Sequence, residues 1–409
     1  MAPDGGELGR LLAPITPRDF LTRYWGRRAV YIPGAADKFA ELGFDLPTLT
    51  KAVDRRTPEG HLEVRFFGRD GQLTAGPTHP EQYRPDEGLT LQAFRICDRL
   101  ERLAQFCAGI KIGLSLPGTV TMTGYAVPPG LGFRTHFDCQ PNFVLQVEGT
   151  KRWRFSARPQ VAWPPLNVAY AGRATELTER YPFLKVAYPP DERQFEEQRL
   201  SPGDVLFLPA GTWHQTESSD LSLSLTMTCI PTTTADIVED TLRASLSRLE
   251  SWRSNVPPVL TRDLRPGQLP APVKRFFDAR LAELKRQVRS MRAEDLYASW
   301  LRRTATFESP LGRSLDATAP SLTPRDVLAV TREVPLRFVT NEGTGTISLY
   351  HLDQRVDLAE AARPLVEALA RTSRFPAARA RTWLGQGYTW DDVAPLLQEL
   401  VRVGILRVA

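Results

Sequence analysis

The stretch from Phe133 to Phe155 constrains the fold more than any other part of the chain. Residues two apart on a strand share a face, so His136 and Asp138 present an imidazole and a carboxylate side by side. An apolar run with a Gly turn at Gly149 and then Lys151 follows directly. A second apolar run comes after a turn at Pro202 and Gly203, and ends in Trp213 and His214. Short apolar runs bounded by turn residues read as buried strands. An isolated His-x-Asp is common by chance and is then a surface hydrogen bond. Here the pair comes with an apolar strand, a turn, a lysine and a second strand that ends in histidine. The reading is a metal centre of His136, Asp138 and His214. Two His and one carboxylate leave coordination positions open, which suits non-haem Fe(II) and its reaction with O2.

From His136 to Lys151, with Asn142 between them, the sequence resembles the jumonji-C (JmjC) oxygenases of the cupin superfamily, above all the asparaginyl-hydroxylase type. The run from Leu200 to Thr228 resembles the distal half of the same domain. The resemblance implies a double-stranded β-helix (cupin or jelly-roll) barrel. It also implies Fe(II), 2-oxoglutarate as cosubstrate, and O2. In that family a Lys or Arg fifteen positions after the first His pairs with the distal carboxylate of 2-oxoglutarate, and Lys151 has that spacing. The likeness further implies that Asn142 orients the cosubstrate and that Tyr125 donates to it. Cys139, next to Asp138, is expected to point away from the metal.

At 409 residues the chain has room for two or three domains, and 42% hydrophobic residues is ordinary for a globular protein. No apolar run of membrane-spanning length (about 18 residues) occurs, and Asp4 and Glu7 stand where a secretory signal would be basic. Cys97, Cys107, Cys139 and Cys229 are widely spaced without a Cys-x-x-Cys pair, so no zinc knuckle or disulfide framework is expected. A reducing cytoplasm is the expected location. The net charge of +5 is concentrated between Ala235 and Arg303, which carries 14 basic against 9 acidic residues. Such an excess fits an acidic partner or a solvated helix face equally well.

In chain order, residues 1–12 are Gly-rich and expected to fray. Thr16-Pro17 reads as an N-cap and first turn, with Phe20, Leu21, Tyr24 and Trp25 on one helix face. A helix ending in Tyr-Trp before a short strand at Val30 also resembles the ribosomal-oxygenase branch of the JmjC family. His61 and His79 read as surface residues. The spacing from Leu91 to Ile110 predicts a helix. Alternation from Thr119 to Ala126 predicts a strand with Thr119, Thr121, Thr123 and Tyr125 on one face, which would line a pocket or face solvent equally well. Residues 159–199, rich in Pro and Tyr, read as a rim or lid. Ser222 and Ser224 could add hydroxyls to the pocket, and Asp204 reads as structural.

From Ala235 the periodicity turns helical, with a second helical run over 273–301. Ribosomal oxygenases use a comparable segment to dimerise, so a homodimer is implied. Residues 304–320 read as a linker. Two strands about Gly343-Gly345, helices over 358–370, 377–384 and 390–403, and a last strand from Ile405 resemble a winged-helix domain. Direct DNA binding by it is not expected, because residues 321–409 hold 11 basic and 10 acidic side chains. The expected architecture is therefore α+β: an oxygenase domain over 1–234, a helical dimerisation segment with linker over 235–320, and a winged-helix-like domain over 321–409.

The activity implied is Fe(II)- and 2-oxoglutarate-dependent hydroxylation of an amino-acid side chain in a protein or peptide, either a ribosomal protein or a peptide natural product. The alternatives are a JmjC N-methyl-lysine demethylase, a small-molecule 2-oxoglutarate oxygenase, and a metal-binding cupin used as an interaction module without turnover.

Overall fold

The apolar runs that follow the His-x-Asp motif and precede His214 become neighbours in one antiparallel sheet. In the computed structural model, residues 6–54, 62–69, 71–77, 82–170, 182, 190–264, 266–305, 321–331, 336–341, 345–351 and 354–409 are described. One compact unit ends at Pro231, and a second takes in the described residues from Thr232 onward.

The first unit contains β1 (Val30–Ile32), β2 (Val64–Phe67), β3 (Leu73–Thr74), β4 (Thr90–Ala93), β5 (Thr119–Val127), β6 (His136–Phe137) and β7 (Asn142–Glu148). It continues with β8 (Lys151–Ser156), β9 (Val168–Ala169), β10 (Phe195–Leu200), β11 (Val205–Leu208), β12 (His214–Ser218) and β13 (Ser222–Ile230). An eight-stranded sheet runs β1-β11-β7-β13-β5-β4-β2-β3, and a five-stranded sheet runs β10-β8-β12-β6-β9. This is a cupin-type arrangement of large antiparallel sheets, with helices on the outside of the larger one. The turn between β7 and β8 depends on Gly149. Its φ is +63°, and a Cβ there would lie 2.1 Å from the Leu221 carbonyl oxygen, so only glycine fits.

The main core joins Phe143, Phe207, Met122 and Met227 of the larger sheet to Leu103 and Ile110 of the helix Glu101–Leu114 and to Phe20 of the helix Pro17–Arg23. Thr16 caps the latter, its side chain accepting the Asp19 amide at 3.1 Å, as its sequence predicts. Residues 7–12 do not fray. They form a helix that buries Leu8, Leu11 and Leu12, because an apolar i, i+3, i+4 face outweighs the glycines just before it. The helix expected over 91–110 begins only at Glu101. Leu91 and Ala93 alternate into the sheet opposite Ala126 and Gly124, and Arg95 adopts a left-handed φ of +52° that no α-helix continues through. His61 and His79 lie outside the described residues.

In the second unit, the helices Thr234–Leu246, Glu250–Arg253, Ala271–Ser290 and Ala293–Ala305 precede six strands. The single run expected over 273–301 is broken at Met291, which is extended (ψ 135°). The strands are β14 (Val327–Val330), β15 (Arg337–Asn341), β16 (Thr346–His351), β17 (Gln354–Ala359), β18 (Arg374–Pro376) and β19 (Leu406–Val408). They form one sheet β18-β14-β19 and a meander β15-β16-β17, both antiparallel. The helix expected from Leu358 starts at Arg363, because Val356 and Leu358 pair into the meander opposite Leu349 and Ile347. Pro364, which has no N–H to give, sits in the first turn of that helix, where the loss is harmless. Trp390–Arg402 is helical behind a capping box of Thr389 and Asp392, and Gly404 follows at φ +77°. Trp300 and Leu301 of the fourth helix share an apolar cluster with Val339 and Tyr350 of the meander.

Candidate metal and cosubstrate site

His136 and His214 are cross-strand partners on β6 and β12, so their side chains leave the sheet on one face. Their ring centroids are 4.1 Å apart. Asp138 follows β6 directly, and its Oδ2 lies 3.8 Å from His214 Nε2. One ligand atom from each of the three falls within 4.8 Å of the others, the one such His, Cys, Asp or Glu group among the described residues. Each imidazole is turned by a carbonyl two residues earlier in the chain. His136 Nδ1–H donates to Arg134 O at 2.7 Å, and His214 Nδ1–H to Thr212 O at 2.9 Å. That tautomer leaves both Nε2 atoms as acceptors, the state a metal requires. Trp153 stacks on His214 with centroids 5.7 Å apart.

Asp138 is held from two sides. Asn142 Nδ2 donates to its Oδ2 at 2.6 Å, and its backbone carbonyl accepts the Gly211 N–H at 2.8 Å. Gly211 has a φ of +76°, and a Cβ there would sit 2.0 Å from Val161 O, so the turn that leads into His214 is locked to the Asp138 segment. Burial raises the Asp138 pKa, opposed by the charge of His136 and the Asn142 hydrogen bond. Burial pushes His214 well below the ordinary histidine value, aided by His136. A neutral His214 and a buried Asp138 carboxylate whose charge a cation would offset both suit a metal.

Lys151 opens β8 and is 2% exposed. Its Nζ donates to Ser224 Oγ at 3.1 Å and lies 5.8 Å from the centre of the Tyr125 ring. No carboxylate stands against it among the described residues, and burial alone pushes its pKa down to about 7. Tyr125 and Ser224 are cross-strand partners on β5 and β13, and the Tyr125 hydroxyl accepts from Gln92 Nε2 at 2.8 Å. The sheets therefore bring Tyr125, Lys151 and Ser224 together. Thr121 instead meets Cys97 Sγ at 3.5 Å. Asn142 leaves its Oδ1 buried without a partner. Asp204 accepts the Gly34 and Ser201 amides at 3.0 and 2.8 Å and so ties turns together. Cys139 is half-buried, and its amide is bonded to Asn167.

Trp153, Gln92 and the carbonyls of Arg134 and Thr212 escape a reading of the sequence. A backbone carbonyl carries no side-chain signature. Trp153 shares a parity with Lys151 on β8, and that alternation is the signal that could have found it.

The donor set fits a divalent metal, and the lone buried ammonium fits an anionic co-ligand. Residues 91–237 match the family model of the JmjC domain. An uncharacterised Bacillus subtilis (strain 168) protein, YxbC, is 25% identical over 264 residues, which is 58% of this chain and 75% of that one. The bifunctional lysine-specific demethylase and histidyl-hydroxylase NO66 of Drosophila grimshawi is 29% identical over 237 residues, 54% of this chain and 30% of its own length. The match thus spans under a third of that relative. The structure of Escherichia coli YcfD, a ribosomal oxygenase in complex with cobalt and 2-oxoglutarate, superposes with a TM-score of 0.53. Identity there is 16%, over 96% of this chain and 98% of that one. Residues 91–237 are thus similar to a JmjC domain, and the chain shares its fold with Escherichia coli YcfD.

Proposed function

We propose that this chain is an Fe(II)- and 2-oxoglutarate-dependent oxygenase that hydroxylates an amino-acid side chain in a protein or peptide. The observation that carries the reading is Lys151. A buried ammonium without a counter-charge is costly, and it opens the strand that pairs with the one His214 begins. The two features together suit a dicarboxylate that reaches from metal to lysine.

His136, Asp138 and His214 would hold Fe(II) through two Nε2 atoms and a carboxylate oxygen, in orientations set by Arg134 O, Thr212 O and Asn142. Bound together, Fe(II), 2-oxoglutarate and O2 supply the oxidant that inserts oxygen into a C–H bond and releases succinate and CO2. The chain's own part is geometric and electrostatic. Lys151, with Ser224 and Tyr125 beside it, fixes the distal carboxylate by a charge-assisted hydrogen bond. The apolar barrel wall keeps water from the reacting centre. Asn142 acts in this account mainly as a support for Asp138.

The named activities of NO66 and the ribosomal-oxygenase fold of YcfD favour a protein substrate, with histidyl hydroxylation ahead of lysine demethylation. Incubation with Fe(II), 2-oxoglutarate and ribosomal proteins, read by mass spectrometry, separates the two. A gain of one oxygen that disappears with His214→Ala supports hydroxylation, whereas loss of a methyl group from lysine supports the demethylase. Oxygen added equally by His214→Ala sinks the proposal.

We divide the chain into an oxygenase domain (1–234), a helical segment with linker (235–320) and a winged-helix-like domain (321–409). The helical segment exposes Leu260, Leu264, Phe277, Leu281 and Tyr297, and Leu242, Leu246 and Trp252 line an open groove of about 560 Å3. Faces of that kind suit burial in a homodimer, and a monomer mass in light scattering would remove this assignment. No helix among the described residues is long and apolar enough to cross a membrane. The four free cysteines suit a reducing cytoplasm.

A further inference from the structure

The stretch from 159 to 199 touches the strands of the metal site at Tyr170 and again at Glu192, and both contacts fall on Thr135. At the first, β9 pairs with β6, and the Tyr170 N–H donates to the Thr135 carbonyl at 2.8 Å. At the second, the turn Glu192–Gln194 that leads into β10 brings up a carboxylate. Thr135 Oγ1 donates to Glu192 Oε1 at 2.6 Å, and Gln215 Nε2 donates to Glu192 Oε2 at 3.1 Å. Arg154, opposite Gln215 on β8, holds the turn by donating to the Glu192 carbonyl at 3.0 Å.

Thr135 immediately precedes His136, and Gln215 immediately follows His214. One carboxylate therefore takes a donor from each of the two segments whose facing residues are the histidines. Successive side chains of a strand leave on opposite faces, which puts this bridge behind the sheet while the imidazoles stand in front. Backbone bonds already flank the histidine pair, from Gly211 to Asp138 O at 2.8 Å and from Thr216 to Phe133 O at 3.0 Å. What the bridge adds is control of a peptide plane. The Arg134 carbonyl that turns the His136 ring belongs to the peptide unit that ends at Thr135 N. Thr135 is 4% exposed, and a buried hydroxyl needs a partner, which the Glu192 carboxylate supplies. A hydroxyl–carboxylate bond of this length is charge-assisted and stronger than a neutral one. It fixes Thr135 and, through the 134–135 peptide, the acceptor that orients His136.

We propose that Glu192 is a positioning residue for the metal, acting through Thr135 on His136 and tying the 159–199 stretch to the metal centre. This role rests on the reading of His136, Asp138 and His214 as metal ligands. With Glu192 gone, the Thr135 hydroxyl loses its acceptor and the Arg134 carbonyl is free to tilt, so His136 Nε2 meets the ion less well aligned.

The test is Mn(II) calorimetry, with the visible spectrum of the Co(II)-loaded full chain beside it, both without 2-oxoglutarate. Glu192→Ala and Thr135→Val are each expected to weaken Mn(II) about tenfold or more and to alter the Co(II) bands, at unchanged circular dichroism. The Glu192 side chain is 37% exposed, so its replacement leaves the fold intact even where Thr135→Val does not. The double variant is expected to match Glu192→Ala alone, because both substitutions break the same bond. Thr135→Ser, which keeps the hydroxyl, is expected to bind as the wild type does. Glu197→Ala, which removes a carboxylate near Arg154 that does not meet Thr135, is expected to leave Mn(II) binding unchanged. A wild-type chain that binds no Mn(II) removes the metal reading and this role with it. Mn(II) bound by the wild type and equally well by Glu192→Ala, or weakened as much by Glu197→Ala or Thr135→Ser, overturns the positioning role alone.

Discussion

At the scale of single residues, the proposed reading gives Lys151 and Asn142 separable jobs. Lys151 loses its proton only at about pH 10.4 in the unfolded chain, the ordinary lysine value, but burial lowers its pKa to about 7 in the fold. Between those values the unfolded state binds more protons, so this residue's unfavourable contribution diminishes as pH rises through that window. Binding the distal carboxylate needs the charged form. Affinity for 2-oxoglutarate is therefore expected to fall, and proton uptake on binding to increase, as pH rises above about 7. Lys151→Met is expected to stabilise the fold by on the order of 1 kcal/mol, read as a higher unfolding temperature, while losing roughly 2–5 kcal/mol of 2-oxoglutarate binding. Asn142→Ala, which frees Asp138 Oδ2, is expected to cost metal affinity first, by about 10–100-fold. Calorimetry with Mn(II) and then 2-oxoglutarate separates the two. If Asn142→Ala weakens only 2-oxoglutarate, its contact is with the cosubstrate and not with Asp138.

At the scale of elements, the sequence is legible where one signal dominates. The Gly149 turn and the apolar runs that become β7 and β11 are read correctly as a turn and buried strands, although Asp138 falls just past β6 instead of within it. The structure brings His136, Asp138 and His214 together, and Lys151 beside Tyr125. Periodicity fails where short segments satisfy two periods at once. Leu91 and Ala93 fit a helix face as well as a strand face, and only their pairing to β5 decides. Leu358 is similarly claimed by the meander. The strands β14 and β18 were not foreseen, because three or four residues give too little alternation to read. The first helix carries a test of its own. Leu12 is fully buried, so Leu12→Ala is expected to destabilise the fold by about 2–5 kcal/mol, read as a lower denaturation midpoint. A frayed segment would give no change.

At the scale of the whole molecule, the fold likeness to a ribosomal oxygenase covers 96% of the chain, whereas the JmjC match ends at residue 237. On the proposed reading the oxygenase chemistry belongs to the first unit, and the second carries the exposed apolar helical faces. That division makes one measurement decisive, because it reads the metal and the cosubstrate together and needs no protein substrate. Fe(II) and 2-oxoglutarate are added anaerobically to the full chain, and the visible absorption band of a 2-oxo acid chelated to Fe(II) is recorded. The band is expected with the wild type and is expected to be absent with His136→Ala, Asp138→Ala and His214→Ala at unchanged circular dichroism. A wild-type protein that folds yet gives no band, or a His214→Ala protein that gives it in full, would contradict the assignment of this pocket to Fe(II) and 2-oxoglutarate.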